Sequence, residues 1–202
     1  MSINSRKVKE CFILADVGKS LEAPSLKDHL VKLLDKKREV DIWTDAKVDR
    51  VIDDNRNSQR AYRFKTWNWE LKTLPLHTLG VCPTMCELPD RYCIEAVPKT
   101  SADIRRLLEG NEHLRDYEET NEVRKRLTKL RQMWDMMRVA SQDDVDKYLQ
   151  ANPIIVVKGG EIRDQANGYK VFDWDIDDGS SRAVIIKMIG RDKLLAYTGT
   201  PS

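Results

Sequence analysis

The sequence predicts an α+β protein: a small mixed sheet with helices packed on it. Three observations point there. Residues 154–157 are a short apolar run opened by Pro153. Residues 172–177 alternate, with Phe172, Trp174 and Ile176 on one side and Asp173, Asp175 and Asp177 on the other, which is the period of a strand. Val123, Leu127, Leu130, Trp134 and Met137 recur at steps of four and three, which is the period of a helix.

Taken in order, residues 10–15 are a short apolar run that reads as a buried strand. Gly18, Lys19 and Ser20 follow it, as in a phosphate loop. That motif needs a glycine five residues before Gly18, where this chain has Ile13, and Pro24 interrupts the next helix, so a plain turn is expected. Ser25 is placed to cap a helix over 26–37, with Leu26, Leu30, Val31, Leu33 and Leu34 as its apolar face. His29 inside it has no partner in the sequence and reads as an ordinary core or surface residue. Residues 39–43 read as a second strand. Thr44 then caps a helix with Val48, Val51 and Ile52 inward, and residues 55–60 read as a loop. Residues 1–66 are therefore expected to be an α/β or helical extension ahead of a domain over 67–202.

Residues 67–79 are rich in Trp and Leu and predict a strand, which Pro75 places at a sheet edge or a strand end. His77, Cys82, Cys86 and Cys93 are zinc-type ligands, but their spacing matches no common zinc pattern, so ordinary cysteines are expected. Thr100 or Ser101 opens a helix ended by Gly110. Asp116 and Glu119 form a capping pair for a long helix over 118–138. Ser141 with Asp144 caps a further helix over 142–150. Asn167 and Gly168 mark a turn between strands. Gly179 permits a tight turn, Ser180 or Ser181 caps the helix that follows, and residues 194–198 read as a last strand.

The chain has 35 basic and 33 acidic side chains in 202 residues, a net charge of +2. No segment is a basic tail, so bulk charge does not point to nucleic acid. A local patch does. Arg124, Lys125, Arg126, Lys129 and Arg131 follow one another without an acid and read either as a solvated helix face or as phosphate contacts. No apolar stretch reaches the length of a membrane span and no secretory leader is evident, so no membrane partner is expected. Four cysteines do not make a disulfide framework and suit a cytoplasmic setting.

The chemistry concentrates between Asp173 and Arg182. The acids there do not form a calcium loop, because its twelfth position would be Val184. Asp177 and Asp178 are candidate ligands for a magnesium ion shared with nucleotide phosphates. The turn Gly179, Ser180, Ser181, Arg182 joins the unpaired N–H groups of a helix start to a guanidinium fork, a combination suited to phosphate. The competing reading pairs Arg182 with one of the neighbouring acids.

The ordered set of Asn152, Pro153 and the run to Val157, then Asp178, Gly179, Ser180, Ser181, Arg182 and Ala183, then Ile189 and Gly190 before a last strand, resembles the ParB/sulfiredoxin-like superfamily. The resemblance implies a small α/β fold whose glycine-to-arginine turn holds phosphates. Gly179 and Arg182 would be the phosphate residues, with Ser180 and Ser181 beside them. It implies ATP or CTP with Mg2+ as cofactors, and phosphoryl transfer, DNA clamping or nuclease chemistry as activities. An acid acts as base in kinase-like members, and Glu118 and Glu119, or Glu70, are the candidates here. Many members have histidine where this chain has Ser181. The expected function is thus nucleotide or nucleic-acid phosphate binding, with phosphoryl transfer if the chain is an enzyme. The alternative is a non-catalytic DNA-binding or interaction protein using the basic helix face.

Overall fold

The structure is a computed structural model and describes residues 5–18, 23–54, 58–81, 99–100, 121–159 and 172–202. Four helices come first: α1 (Ser5–Gly18), α2 (Leu26–Asp41), α3 (Asp45–Asp54) and α4 (Ser58–Thr66). Strand β1 (Asn68–Pro75), a 3-10 turn (Leu76–Thr78), β2 (Leu79–Val81) and β3 (Lys99–Thr100) follow. Helices α5 (Asn121–Val139) and α6 (Gln142–Ala151) lead into β4 (Ile154–Lys158), β5 (Trp174–Asp178), α7 (Ser180–Met188) and β6 (Lys193–Thr200). The fold class is α+β, as predicted.

Among the described residues the six strands form one mixed sheet in the order β1-β6-β4-β5-β2-β3. β6 pairs antiparallel with β1 and parallel with β4. β5 pairs antiparallel with β4 and parallel with β2. β1 stands at an end of that order with Pro75 as its last residue, which matches the expected edge position, since proline has no N–H to give a ladder.

β4 lies inside the sheet, and Ile154, Ile155, Val156 and Val157 are all buried. Successive strand residues point to opposite faces, so four buried neighbours mean that both faces are covered. α1 packs on β1 and β4, α7 on β4 and α5, and α6 lies against α2 and β6. One hydrophobic cluster runs from Val8 to Ala196 and includes residues of α1 to α4 as well as of the sheet. The junction between α4 and β1 falls at Trp67.

Two expected strands are helical. Residues 10–15 lie inside α1, where every residue from Val8 to Ala15 is buried. A helix covered on all sides shows no amphipathic period, and a short apolar run then reads equally as a strand. Lys9 and Glu10 are buried in this run because they are paired, Lys9 with Asp49 at 2.6 Å and Glu10 with Arg6 at 2.6 Å. Residues 39–41 are the last turn of α2, where Val40 continues the buried row of Leu26, Leu30 and Leu33. Residues 58–60, expected as loop, open α4. Every regular element among the described residues of 1–66 is a helix.

The predicted caps of α2 and α6 form. Ser25 Oγ accepts from the Asp28 N–H at 3.2 Å, and Ser141 Oγ from the Asp144 N–H at 3.1 Å. In α2, Val31 and Leu34 are exposed rather than part of the inward face, and Val51 of α3 is likewise exposed. Leu130, Met133 and Met137 are the buried row of α5, with Trp134 half-buried. The expected helix ended by Gly110, the capping pair at Asp116 and Glu119, and the turn at Asn167 and Gly168 lie outside the described residues. No helix among the described residues is long and apolar enough to cross a membrane.

Candidate functional site at the start of α7

The chain leaves β5 at Asp178 and enters α7 through Gly179, which adopts φ +99°. This left-handed conformation is open to glycine at little cost and turns the backbone within one residue. A Cβ at Gly179 would lie 2.5 Å from Ile154 Cγ2, so close packing on β4 also demands glycine. Gly179 is itself the N-cap of α7, and no side chain caps the helix. The expectation that Ser180 or Ser181 caps is therefore corrected. Both serines sit in the first helical turn and are partly buried. With no side-chain cap, the α7 start keeps the positive end of its helix dipole unpaired by a side chain.

Arg182 follows in that first turn and points inward. It is 5% exposed. Its Nη1 donates to the carbonyl oxygen of Asn152 at 2.7 Å, to that of Pro153 at 2.8 Å, and to Asn152 Oδ1. Its Nη2 donates to Asp178 Oδ2 at 2.7 Å. The competing sequence reading, an arginine paired with a neighbouring acid, is the arrangement present. The carbonyls are available because α6 ends at Ala151. Asn152 precedes Pro153, and the proline ring disfavours helix at the residue before it. The end of α6 thus presents oxygens to a guanidinium from the start of α7.

The same pocket of polar atoms includes Tyr148 and Cys11. Asn152 Nδ2 donates to the Tyr148 hydroxyl oxygen at 3.2 Å, and the Cys11 thiol donates to the Pro153 carbonyl at 3.2 Å. Burial pushes the Cys11 thiol up to about 12, against a smaller opposing pull from Arg182. Burial likewise raises the Tyr148 phenol. The Tyr148 ring meets the edge of His29 at 5.6 Å between centroids.

Asp177, the other candidate magnesium ligand, is also engaged. Arg60 Nε donates to Asp177 Oδ2 at 2.7 Å and Arg60 Nη2 to the Asp177 carbonyl at 2.6 Å. Arg63 Nη1 donates to Asp177 Oδ1 at 2.9 Å. Both carboxylate oxygens of Asp177 therefore face guanidinium groups of α4. Arg60 also stacks on the Phe12 ring at 4.8 Å, which ties α1, α4 and β5 together. A magnesium ion on Asp177 would compete with Arg60 and Arg63 for its two carboxylate oxygens, and one on Asp178 Oδ2 would compete with Arg182. Among the described residues no group of three or more His, Cys, Asp or Glu is arranged to hold a metal.

The structure brings Asp177, Asp178, Gly179, Ser180, Ser181 and Arg182 together at one turn. Arg131 is exposed on α5. Positions 124, 125, 126 and 129 lie on the first turns of α5, and at 100° per residue these four and 131 do not all fall in one row. Position 124 falls in the row of Arg131, whereas position 126 falls in that of Leu130, Met133 and Met137. Glu118, Glu119, Cys82, Cys86 and Cys93 lie outside the described residues, and His77 is exposed in the 3-10 turn.

Sequence reasoning named Asn152 only within the resemblance, with no role, and passed over Arg60 and Arg63. The Asn-Pro junction was a usable signal for the first. For the arginines the signal was the segment Ser58–Thr66, which has Arg60, Arg63 and Lys65 without an acid. No protein-family model, curated protein or solved structure matches the chain.

Proposed function

We propose that this chain is a non-catalytic nucleic-acid-binding protein that meets phosphates through the outward row of α5. The observation that carries the reading is the two-sided build of that helix. Leu130, Met133 and Met137 are buried on one side, and Arg131 is exposed on the other. Positions 124, 131 and 138 are all arginine and repeat every seven residues, about 10.5 Å apart along the axis. Arg138 shares its charge with Asp135 at 2.9 Å, an exposed pair that a phosphate can exchange at small cost. α5 packs on α7, so the row is held on the core. A cytoplasmic setting belongs to this reading.

The test is fluorescence anisotropy of a labelled 20-base-pair duplex across a salt series. Each phosphate contact contributes a slope of roughly 0.9 log units of affinity per log unit of salt. Arg131→Ala is expected to weaken binding and lower the slope by about one contact. Duplex binding that is absent in low salt, or unchanged in Arg131→Glu, defeats the reading.

A second reading keeps the ParB-like resemblance and sets a nucleotide phosphate, from ATP or CTP, at the start of α7. The order strand, strand, glycine turn, helix, strand from β4 to β6 and the uncapped α7 start support it. On this reading the α7 amides and the Ser180 and Ser181 hydroxyls would meet the anion, and Arg182 would hold the turn in shape from behind. Calorimetry with CTP and ATP, with and without magnesium, separates the two readings.

A further inference from the structure

Beside the Arg63–Asp177 pair the surface of α4 opens into a shallow depression of about 440 Å3 lined by Gln59, Tyr62, Arg63 and Trp67. That volume is in the range of roughly 300–1,000 Å3 usual for small-molecule sites. Its chemistry is specific. Tyr62 is 63% exposed, an unusual position for a large ring with no packing to do. Trp67 is half-buried, and the Arg63 guanidinium lies over its ring at 5.4 Å from the centroid. Gln59 is exposed and offers both an amide donor and an amide acceptor. The helix around them, Ser58–Thr66, contains three basic residues and no acid.

An exposed aromatic face, a planar cation laid over a second ring and an amide make a shelf for a flat heteroaromatic ring with an anion attached. We propose that this depression is a stacking site for a nucleobase, with the Tyr62 ring and the Arg63 guanidinium, itself laid over Trp67, as the stacking planes and Gln59 reaching the base edge. Arg63, the cation that lines the depression, is the partner for the attached phosphate. The bases of a duplex are stacked on each other and closed to such a shelf, so the occupant is a base of a single strand or a free nucleotide. The inference deepens the proposed nucleic-acid function and adds a substrate class, unpaired bases, that the α5 row alone would not select.

The test uses the full chain and three probes: a labelled 12-nucleotide oligothymidine, the labelled 20-base-pair duplex and thymidine monophosphate. The variants are Tyr62→Ala, Tyr62→Phe and Arg131→Glu. The exposed Tyr62 makes no contribution to the core, so each Tyr62 variant is expected to keep the wild-type melting temperature. Tyr62→Ala should weaken oligothymidine binding by about 5-fold or more, as loss of one stacked base does, and Tyr62→Phe should restore it. Duplex affinity should be unchanged by either. Competition by millimolar thymidine monophosphate that fully displaces the oligomer would identify a free nucleotide as the occupant; weak competition would identify a strand. The proposal is overturned if oligothymidine does not bind, or if Tyr62→Ala binds it as wild type does. Its failure is distinct from that of the α5 reading. A Tyr62-dependent single-strand affinity with no effect of Arg131→Glu removes the α5 row and leaves the shelf, and an Arg131-dependent duplex affinity with no effect of Tyr62→Ala does the reverse.

Discussion

Arg182 Nη1 lies 2.7 Å from the carbonyl oxygen of Asn152, and through this bond the first turn of α7 closes the last turn of α6. With Asp178 on its other nitrogen, the guanidinium is a buried cross-brace. Removing it takes a donor from the Asp178 carboxylate, from Asn152 Oδ1 and from the Asn152 and Pro153 carbonyls, the last keeping only the Cys11 thiol. Arg182→Ala is expected to cost about 3–5 kcal/mol of folding stability, the range for breaking a buried pair on one side. Urea unfolding of the two proteins measures it. A variant of wild-type stability would show that the guanidinium is not structural and would revive a direct phosphate role.

Gly179 and Gly190 both have positive φ, +99° and +85°, but differ in space. A Cβ at Gly190 meets nothing within 4 Å, while at Gly179 it runs into Ile154 and Arg182 Nη2. Gly190→Ala should cost about 1–2 kcal/mol from backbone strain alone. Gly179→Ala should cost clearly more, because it also displaces β4. Equal costs in denaturant titration would contradict the packing argument.

Asp177 receives three hydrogen bonds from α4. Asp177→Asn keeps the shape and removes the charge that two guanidinium groups share. A loss of about 1.5–3 kcal/mol is expected, the scale of one hydrogen bond to a charged group. Faster amide exchange confined to α4 would be the local signature, since α4 depends on this anchor.

His29 is 2% exposed, and neither ring nitrogen has a hydrogen-bond partner among the described residues. Burial first, and Lys32 second, hold its pKa below the ordinary 6.5. The folded state therefore keeps it neutral while the unfolded chain takes up the proton. Stability from this group is full above about pH 6.5 and falls as pH drops below that value. His29→Phe should flatten this part of the profile between pH 7.5 and 5.5, leaving only the slope from carboxylates. A parallel profile for both proteins would show that His29 does not titrate on unfolding.

The Cys11 thiol, fully inside and held far above its ordinary pKa, offers almost no thiolate at neutral pH. Iodoacetamide should leave Cys11 unmodified in the native protein and modify it in urea, as read by peptide mass spectrometry. Native labelling at Cys11 would mean that α1 opens.

Periodicity and capping chemistry were enough, from the sequence alone, for α2, α5, α6, and the succession of β4, β5, α7 and β6. Those signals are local: a step of three or four along a helix, a step of two along a strand, an oxygen three residues before an N–H. α1 escaped because its uniform burial erased the step. Its neighbours α2, α3 and α4 and the sheet supply that burial, and all but α2 are distant in sequence. The turn at 179–182 was legible as a place, since only glycine fits its backbone. What its arginine does was not legible. Arg182 reaches a carbonyl 30 residues away, and Asp177 is held by an arginine 117 residues away. A guanidinium binds whichever oxygens the fold brings within about 3 Å, so its role was decided by tertiary structure, where the end of α6 arrived at the start of α7.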